Sequence, residues 1–353
     1  MELFSGAVEF MKNITEKDDI VIIFNNDGDG ICSCVLIQKY LERRGCKKPF
    51  IISQPMPPEG NLIRKIQTTL PTKIIFLDMA IDQEQGFMKK LGNICDMLII
   101  DHHQVTTDMN GKNIVHMNPR LKNPKIYQST TYLAYKIVSQ LGDFSDSLWV
   151  ASVGMISDYN LDDSQDVVNL IREKYGIKNE KMYESHLGRL ADMISAAKAT
   201  KMLSMEQLVE LFMSIKDPYN FQDVRNADKL LAAYQEVENE IVKIKSEFES
   251  RVEKIGDVIF YRFASKYNLR SPASTMLSER YRNKIVVVYE KVNSWIDVSS
   301  RNQSKKYNMG MLLKRAAEGL KGSAGGHEAA AGAKVPEKNW EAFKQRLLEL
   351  VNS

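Results

Sequence analysis

The stretch "FNNDGDGICS", Phe24 to Ser33, sets Asp27 and Asp29 among glycines directly after the apolar run Ile20–Phe24. Glycine-rich turns after buried strands often cradle phosphate with backbone N–H groups, whereas carboxylates repel it. Either these acids hold a metal ion that in turn attracts phosphate, or they are solvated turn residues. Comparable residues recur at the ends of other apolar runs. Asp78 follows "IIFL", the triplet Asp101–His102–His103 follows "MLII", and Asp158 ends the pattern "WVASVGMIS". Clustered carboxylates disfavour one another's charge unless a cation neutralises them. Oxygen ligands with one or two imidazoles suit Mn or Mg better than a structural zinc, which favours thiolates. Each piece alone has a plainer reading: a turn, a helix cap, a chance pair of histidines. Their coincidence at one place is what carries weight.

That coincidence depends on the elements around them. Ile20–Phe24, Ile74–Leu77 and Met97–Ile100 read as buried strands, with a weaker one at Phe50–Ile52. Helical patterns lie at Ile31–Leu41 and Asn61–Gln67, and two more follow near Thr130–Leu141 and Ser147–Ser157. Strands that read as continuous apolar runs and alternate with helices predict an α/β domain with a parallel sheet covered on both faces. In such a sheet the ligand crevice lies beyond the carboxyl ends of the strands, so three strands deliver acids or histidines to one edge.

From about Leu161 to Ile255 the pattern is helical throughout. Val237, Ile241, Ile244, Phe248, Val252 and Ile255 form one apolar stripe, which predicts a packed amphipathic connector helix. Strand signals return at Val258–Phe263, Ile285–Tyr289 and Trp295–Val298, followed by helical patterns near Met309–Leu320 and Asn339–Leu350. Three regions are expected: an α/β domain over 1–160, a helical region and connector over 161–255, and a smaller α/β domain over 256–353.

The chain has 353 residues, 44% of them apolar and 26% charged, which suits a soluble globular protein with a substantial core. A net charge of only +3 argues against an indiscriminate nucleic-acid binder, although 48 basic residues leave room for a local basic groove. "RYRNK" (280–284) and "QSKKY" (303–307) are candidates for such a groove and equally ordinary surface clusters. Cys32, Cys34, Cys46 and Cys95 include no CxxC pair, so free thiols in a reduced compartment are expected. No signal peptide or membrane span is legible, and a cytoplasmic protein is expected.

The order "NNDGDG" … "LDMA" … "DHH" … "GMISD" resembles the four motifs of the DHH phosphoesterase superfamily. "GGHEAAAG", Gly325 to Gly332, resembles the glycine-histidine motif of the DHH-associated C-terminal domain, and "SSR", Ser299 to Arg301, resembles that domain's phosphate-contacting stretch. The triplet together with this terminal motif is far more specific than the triplet alone. The terminal motif disfavours a family II pyrophosphatase.

The resemblance implies two-metal phosphodiester hydrolysis, with two Mn ions or Mg in their place. It implies Asp27 and Asp78 at the first ion, and Asp29, Asp78, His102 and Asp158 at the second. His103 is implied as a stabiliser of the scissile phosphate, and Asp101 as the acceptor that orients His102. Ser299, Arg301, Gly325, Gly326 and His327 are implied as substrate-binding residues that reach across an interdomain cleft. Asn25 departs from the family, which usually has histidine or aspartate there. Its neutral carbonyl oxygen is a poorer ligand, so weaker binding of the first ion is expected.

The compact length and the helical middle resemble the archaeal RecJ-like single-strand exonucleases. That branch implies single-stranded DNA or RNA as substrate, a lean toward attack at the 3′ end, and association with the replicative helicase through GINS. A catalytically weak scaffold of that complex, and a nanoRNase or phosphoadenosine-phosphate phosphatase, are the alternatives.

Overall fold

The computed structural model describes residues 3–352 except Asn93, Asn160, Asn179, Glu180, Lys305 and His327. The chain divides into two compact units, Met1–Tyr234 and Gln235–Ser353.

The first unit opens with α1 (Ser5–Lys12) and β1 (Ile20–Phe24), and continues through α2 (Gly28–Arg43), β2 (Phe50–Ser53), α3 (Leu62–Thr69), β3 (Lys73–Leu77), α4 (Gln85–Leu91), β4 (Asp96–Ile100) and β5 (Ile114–Met117). All five strands are parallel, in the order β2-β1-β3-β4-β5. β1 is buried at every position, which a strand covered on both faces requires. Its side chains alternate between two cores. Ile20, Ile22 and Phe24 face the cluster that holds Val35, Leu133 and Val153. Val21 and Ile23 face a smaller cluster with Leu62, Ile66 and Leu91 of α3 and α4.

Five more helices complete this unit and lead out of it: α5 (Thr130–Val138), α6 (Leu148–Ser157), α7 (Gln165–Tyr175), α8 (His186–Thr200) and α9 (Met205–Ser214). α6 is buried from Leu148 to Ile156, as its nearly uniform apolar sequence demands. It packs against α2, α5 and α8, and α2 also meets α9. α10 (Ala227–Arg251) then carries the chain from the first unit into the second.

The second unit adds β6 (Val252–Ile255), β7 (Val258–Arg262), α11 (Arg270–Arg280), β8 (Ile285–Val292), β9 (Trp295–Arg301), α12 (Met309–Ala317), β10 (Ser323–Gly326), β11 (Ala330–Pro336) and α13 (Trp340–Asn352). Its strands form one mixed sheet in the order β10-β11-β9-β8-β7-β6. Only β7 and β8 pair in parallel. Val287, Val298, Val335, Leu313 and Phe343 join sheet and helices in one core.

The expected α/β architecture is present, one local expectation is corrected, and three strands that the sequence reading missed are added. The stripe predicted to run to Ile255 as one helix ends as a helix at Arg251, and Val252–Ile255 pair antiparallel with β7. Gly256 adopts φ 55° and begins the two-residue connection that turns the chain back, so tertiary pairing overrides the helical period. The ends of the "SAGGHEAAAG" stretch are themselves strands, with Ser323–Gly326 pairing antiparallel to Lys334–Ala331. Small residues carry little strand propensity, so nothing in the sequence announces them. β5 is likewise absent from the sequence reading: "IVHM" is short and closes one edge of the parallel sheet. Among the described residues, no helix is long and apolar enough to cross a membrane.

The glycines of "DGDG" let α2 start close to its neighbours. A Cβ on Gly30 would run into the Asn25 backbone, and one on Gly28 into the Ser157 side chain of α6. Gly28→Ala is therefore expected to destabilise the fold by about 1–3 kcal/mol, as overpacking of a close contact does. A lowered urea midpoint with unchanged slope would show it.

Candidate metal centre

The site forms where the order of the parallel strands reverses, at β1 and its neighbour β3. In an open α/β sheet a crevice opens at that switch point. Asp27 and Asp29 follow β1, Asp78 follows β3, Asp101 to His103 follow β4, and Asp158 caps the C-terminus of α6.

Asp78 sits in the left-handed region at φ 60°, where its N–H donates to the Ile100 carbonyl at 3.0 Å. An aspartate tolerates that conformation better than most residues, at a cost of about 1–3 kcal/mol. Asp29 is held differently. Its two carboxylate oxygens accept the backbone N–H groups of Thr130 and Thr131, each at 2.7 Å, at the N-terminus of α5. The end of that helix thus fixes an acid from the start of another, 101 residues away.

His102 stands among these acids. Its Nε2 lies 3.2 Å from Asp78 Oδ1 and 3.9 Å from Asp29 Oδ2, and its Nδ1 lies 3.7 Å from Asp158 Oδ2. Two sets of potential ligand atoms lie within 4.8 Å of one another: Asp29, His102 and Asp158, and Asp78, His102 and His103. His102 Nδ1 and Asp158 Oδ2 are buried without a hydrogen-bond partner. Buried atoms of that kind are costly unless something else, such as a cation, satisfies them.

The electrostatics agree. Burial, with the charges of Asp27 and Asp29, pushes the Asp78 carboxyl well above the usual range. Burial and the Asp29 charge push Asp158 up to about 9, and burial pushes Asp29 up to about 6. Burial lowers His102 to about 4, so its imidazole is neutral and available as a ligand. A divalent cation among Asp29, Asp78, His102 and Asp158 would relieve each of these conflicts, and the oxygen-rich donor set suits Mn or Mg.

His103 behaves in the opposite way. Burial works against its charge, but the hydrogen bond and charge of Asp101 outweigh that and raise it to about 9. Its side chain is 41% exposed where that of His102 is only 4% exposed. It is a cation at neutral pH on the open side of the cluster.

Two expected roles are corrected. Asp101 orients His103, not His102: its Oδ1 lies 2.8 Å from His103 Nδ1, and its Oδ2 accepts the His103 N–H at 3.2 Å. The order of the triplet alone does not reveal which ring turns toward the acid. Asn25 does not present its oxygen as a ligand. Its Oδ1 accepts the Asn26 N–H at 2.9 Å, and its Nδ2 donates to Asp27 Oδ2 at 2.6 Å and Asp78 Oδ2 at 3.1 Å. Asp27 is in turn the N-cap of α2, with Oδ1 accepting Gly30 N–H at 3.0 Å. An amide N–H bridge therefore joins the two acids expected at the first ion. As it stands, the set of Asn25, Asp27 and Asp78 does not fit a cation.

Several supporting residues escape the sequence reading. Tyr127 donates its hydroxyl to Asp158 Oδ1 at 3.2 Å, and its ring meets His102 edge-on. Asn118, just after β5, donates to the His103 carbonyl at 3.0 Å and steadies the triplet. The "QSTT" run does carry an N-cap signal, since Ser129 accepts from Tyr132 N–H at the start of α5. Tyr127 carries none.

In the second unit, Ser299 and Arg301 of β9 line a cleft of about 380 Å³ with Gly326, Arg270 and Asn268. Ser299 pairs with Gly332 in the sheet and shares a 2.9 Å hydrogen bond with Ser274. Gly325 lies opposite Gly332 one strand further on. His327 lies outside the described residues.

Residues 19–155 match the DHH family, N-terminal domain, and residues 259–353 match the DHHA1 domain. The chain belongs to the DHH superfamily, with a C-terminal DHH-associated domain. The aspartates and histidines just described thus lie in or directly after its DHH domain, and the Ser299–Arg301 cleft lies in its DHHA1 domain. RecJ from Thermus thermophilus, in complex with Mn2+, is similar at 16% identity and a TM-score of 0.72, over 99% of this chain and 55% of that one. The chain thus spans about half the length of that RecJ. A second structure, of exonuclease RecJ bound to manganese, is similar at 16% identity and a TM-score of 0.69, over 98% of this chain and 93% of that one. CDC45 from Entamoeba histolytica is similar at 12% identity and a TM-score of 0.55, over 100% and 98%. At these identities the likeness is one of fold. No curated protein matches the chain in sequence.

Proposed function

We propose that this DHH protein is a divalent-metal-dependent phosphodiesterase that removes nucleotides from the end of single-stranded DNA or RNA. The observation that carries the reading is the convergence of a buried His102 on Asp29, Asp78 and Asp158, with His103 held by Asp101 beside it. The RecJ structures in complex with Mn2+ and with Mg2+ support the choice of ion. When bound, the ion supplies Lewis-acid polarisation of a phosphoryl oxygen and a water of lowered pKa.

The chain's own residues do the rest. Asp29 is pinned by the Thr130 and Thr131 N–H groups, which keeps one carboxylate in register with His102. Asp101 holds His103 protonated and turns its ring, so that its free N–H can donate to a phosphate oxygen as charge develops there. Ser299 and Arg301, with Gly325, Gly326 and His327, offer donors and open backbone to the phosphates of the strand.

A second reading has one observation in its favour. The Asn25 bridge closes the place expected for a first ion, as in a protein that keeps the fold as a scaffold. GINS is the partner proposed under either reading. End-labelled single strands of DNA and RNA, incubated with Mn, Mg or EDTA, test the first reading. Laddering from one end with Mn and none with EDTA is expected. Intact strands at high Mn, together with GINS capture that is indifferent to metal, would establish the scaffold instead.

A further inference from the structure

The residue after Asp158 is one of several non-glycine residues in the left-handed region, and it is the aromatic one among them. Tyr159 holds φ 54°, the left-handed region, directly after the C-cap of α6. Helices commonly end in this conformation, but the residue that takes it is usually glycine or asparagine, because a Cβ is strained there. The tyrosine is also 73% exposed, so core packing does not explain the strain.

Its ring is not randomly placed. Tyr159 stacks on Tyr183 with ring centroids 5.8 Å apart and planes only 13° from parallel. The backbone at Tyr183 lies close against the start of α8, where a Cβ on Gly188 would strike its carbonyl. A cleft of about 160 Å³ opens beside the pair, lined by Ser157, Asp192 and Ser195 among others. Burial, with the charge of Asp162 next, pushes the Tyr183 hydroxyl pKa up.

We propose that the Tyr159–Tyr183 stack is a nucleobase platform, on which one base of a single-stranded substrate continues the aromatic stack while its phosphate lies at the acidic cluster. The inference rests on the nucleic-acid reading above and names which residues receive the base. The distances suit it. Tyr159 follows the cluster residue Asp158 directly, about 3.8 Å from Cα to Cα, so the stack begins one residue from a cluster carboxylate. Two tyrosines already parallel present a preformed π-face without any new ordering, and every base has a matching face. The platform therefore confers tolerance of sequence with a requirement for a base.

Short single strands test this, once with all bases and once with a single abasic residue placed at each position in turn. Binding is read by fluorescence anisotropy in Ca2+, and hydrolysis is read separately in Mn. For the wild type, one abasic position is expected to weaken binding about tenfold, the scale of one stacked base. In Tyr159→Gly and in Tyr183→Ala that ratio is expected to fall toward one, whereas Tyr159→Phe retains it. Glycine adopts φ 54° without strain, so Tyr159→Gly is expected to melt no lower than the wild type, which separates loss of the ring from loss of the fold. A wild-type ratio near one at every position, a ratio unchanged in Tyr159→Gly, or no binding of either strand would overturn the platform. Absence of Mn-dependent hydrolysis with the tenfold ratio intact would overturn the nuclease reading and leave the platform standing.

Discussion

Asp78→Asn is expected to slow hydrolysis by about 10³-fold while leaving the metal-free fold at least as stable as the wild type. The substitution keeps side-chain size, and asparagine is among the few residues that tolerate φ 60°. It removes the carboxylate that faces His102 Nε2 at 3.2 Å and that the charges of Asp27, Asp29, Asp101 and Asp158 all disfavour. Losing one ligand's share of metal-ion charge stabilisation, several kcal/mol, corresponds to about 10³-fold in rate, since about 1.4 kcal/mol is tenfold. Relief of buried like-charge repulsion acts in the opposite direction on stability. The expected pair of results is a higher Tm in EDTA and a much smaller rise in Tm when Mn is added. A variant that still gains Tm from Mn as the wild type does would remove Asp78 from the ligand set.

Asn25→Asp is expected to do the reverse. The wild-type amide donates to Asp27 and Asp78 at once, so it neutralises part of their repulsion without a metal. An aspartate at this position cannot donate and adds a further carboxylate. Metal-free protein should melt lower, and Mn should raise Tm by more than it does in the wild type. Ligand charge count tunes affinity for such ions, and a gain of about tenfold or more is expected for the ion between residues 25, 27 and 78. The decisive readout is stoichiometry: native mass spectrometry should find one Mn per wild-type chain and two per variant chain. Two Mn ions on the wild type would show that the Asn25 side chain turns over to offer its oxygen when metal arrives. A variant that still carries one would mean that residue 25 does not control the first ion. Together the two substitutions separate the acids that need a cation from those that an amide already serves.

Much of this molecule is legible in the chain. The runs "IVIIF", "IIFL" and "MLII" read as buried strands, and those strands place the residues that follow them at one sheet edge. The acids and histidines at those ends are local to their own strands, so residue type and position sufficed to select them. What the sequence could not determine is which atom faces which. Asp101 lies beside both histidines in the chain, and only the path of the backbone after β4 turns His103 toward it and leaves His102 for the acids. Asn25 reads as a weak ligand from its chemistry, and only the Asn26 N–H that claims its oxygen makes it a donor. Tyr183 meets Tyr159, a residue distant in sequence, through a ring stack that no spacing encodes. The strands β6, β10 and β11 were hidden for a related reason: a helical stripe or a run of glycine and alanine becomes a strand only when a neighbouring strand offers its hydrogen bonds. Local pattern determined which residues meet at the edge of the sheet, because burial and backbone period act along the chain. Tertiary structure decided protonation, orientation and pairing, because those depend on partners that the chain brings together only by folding.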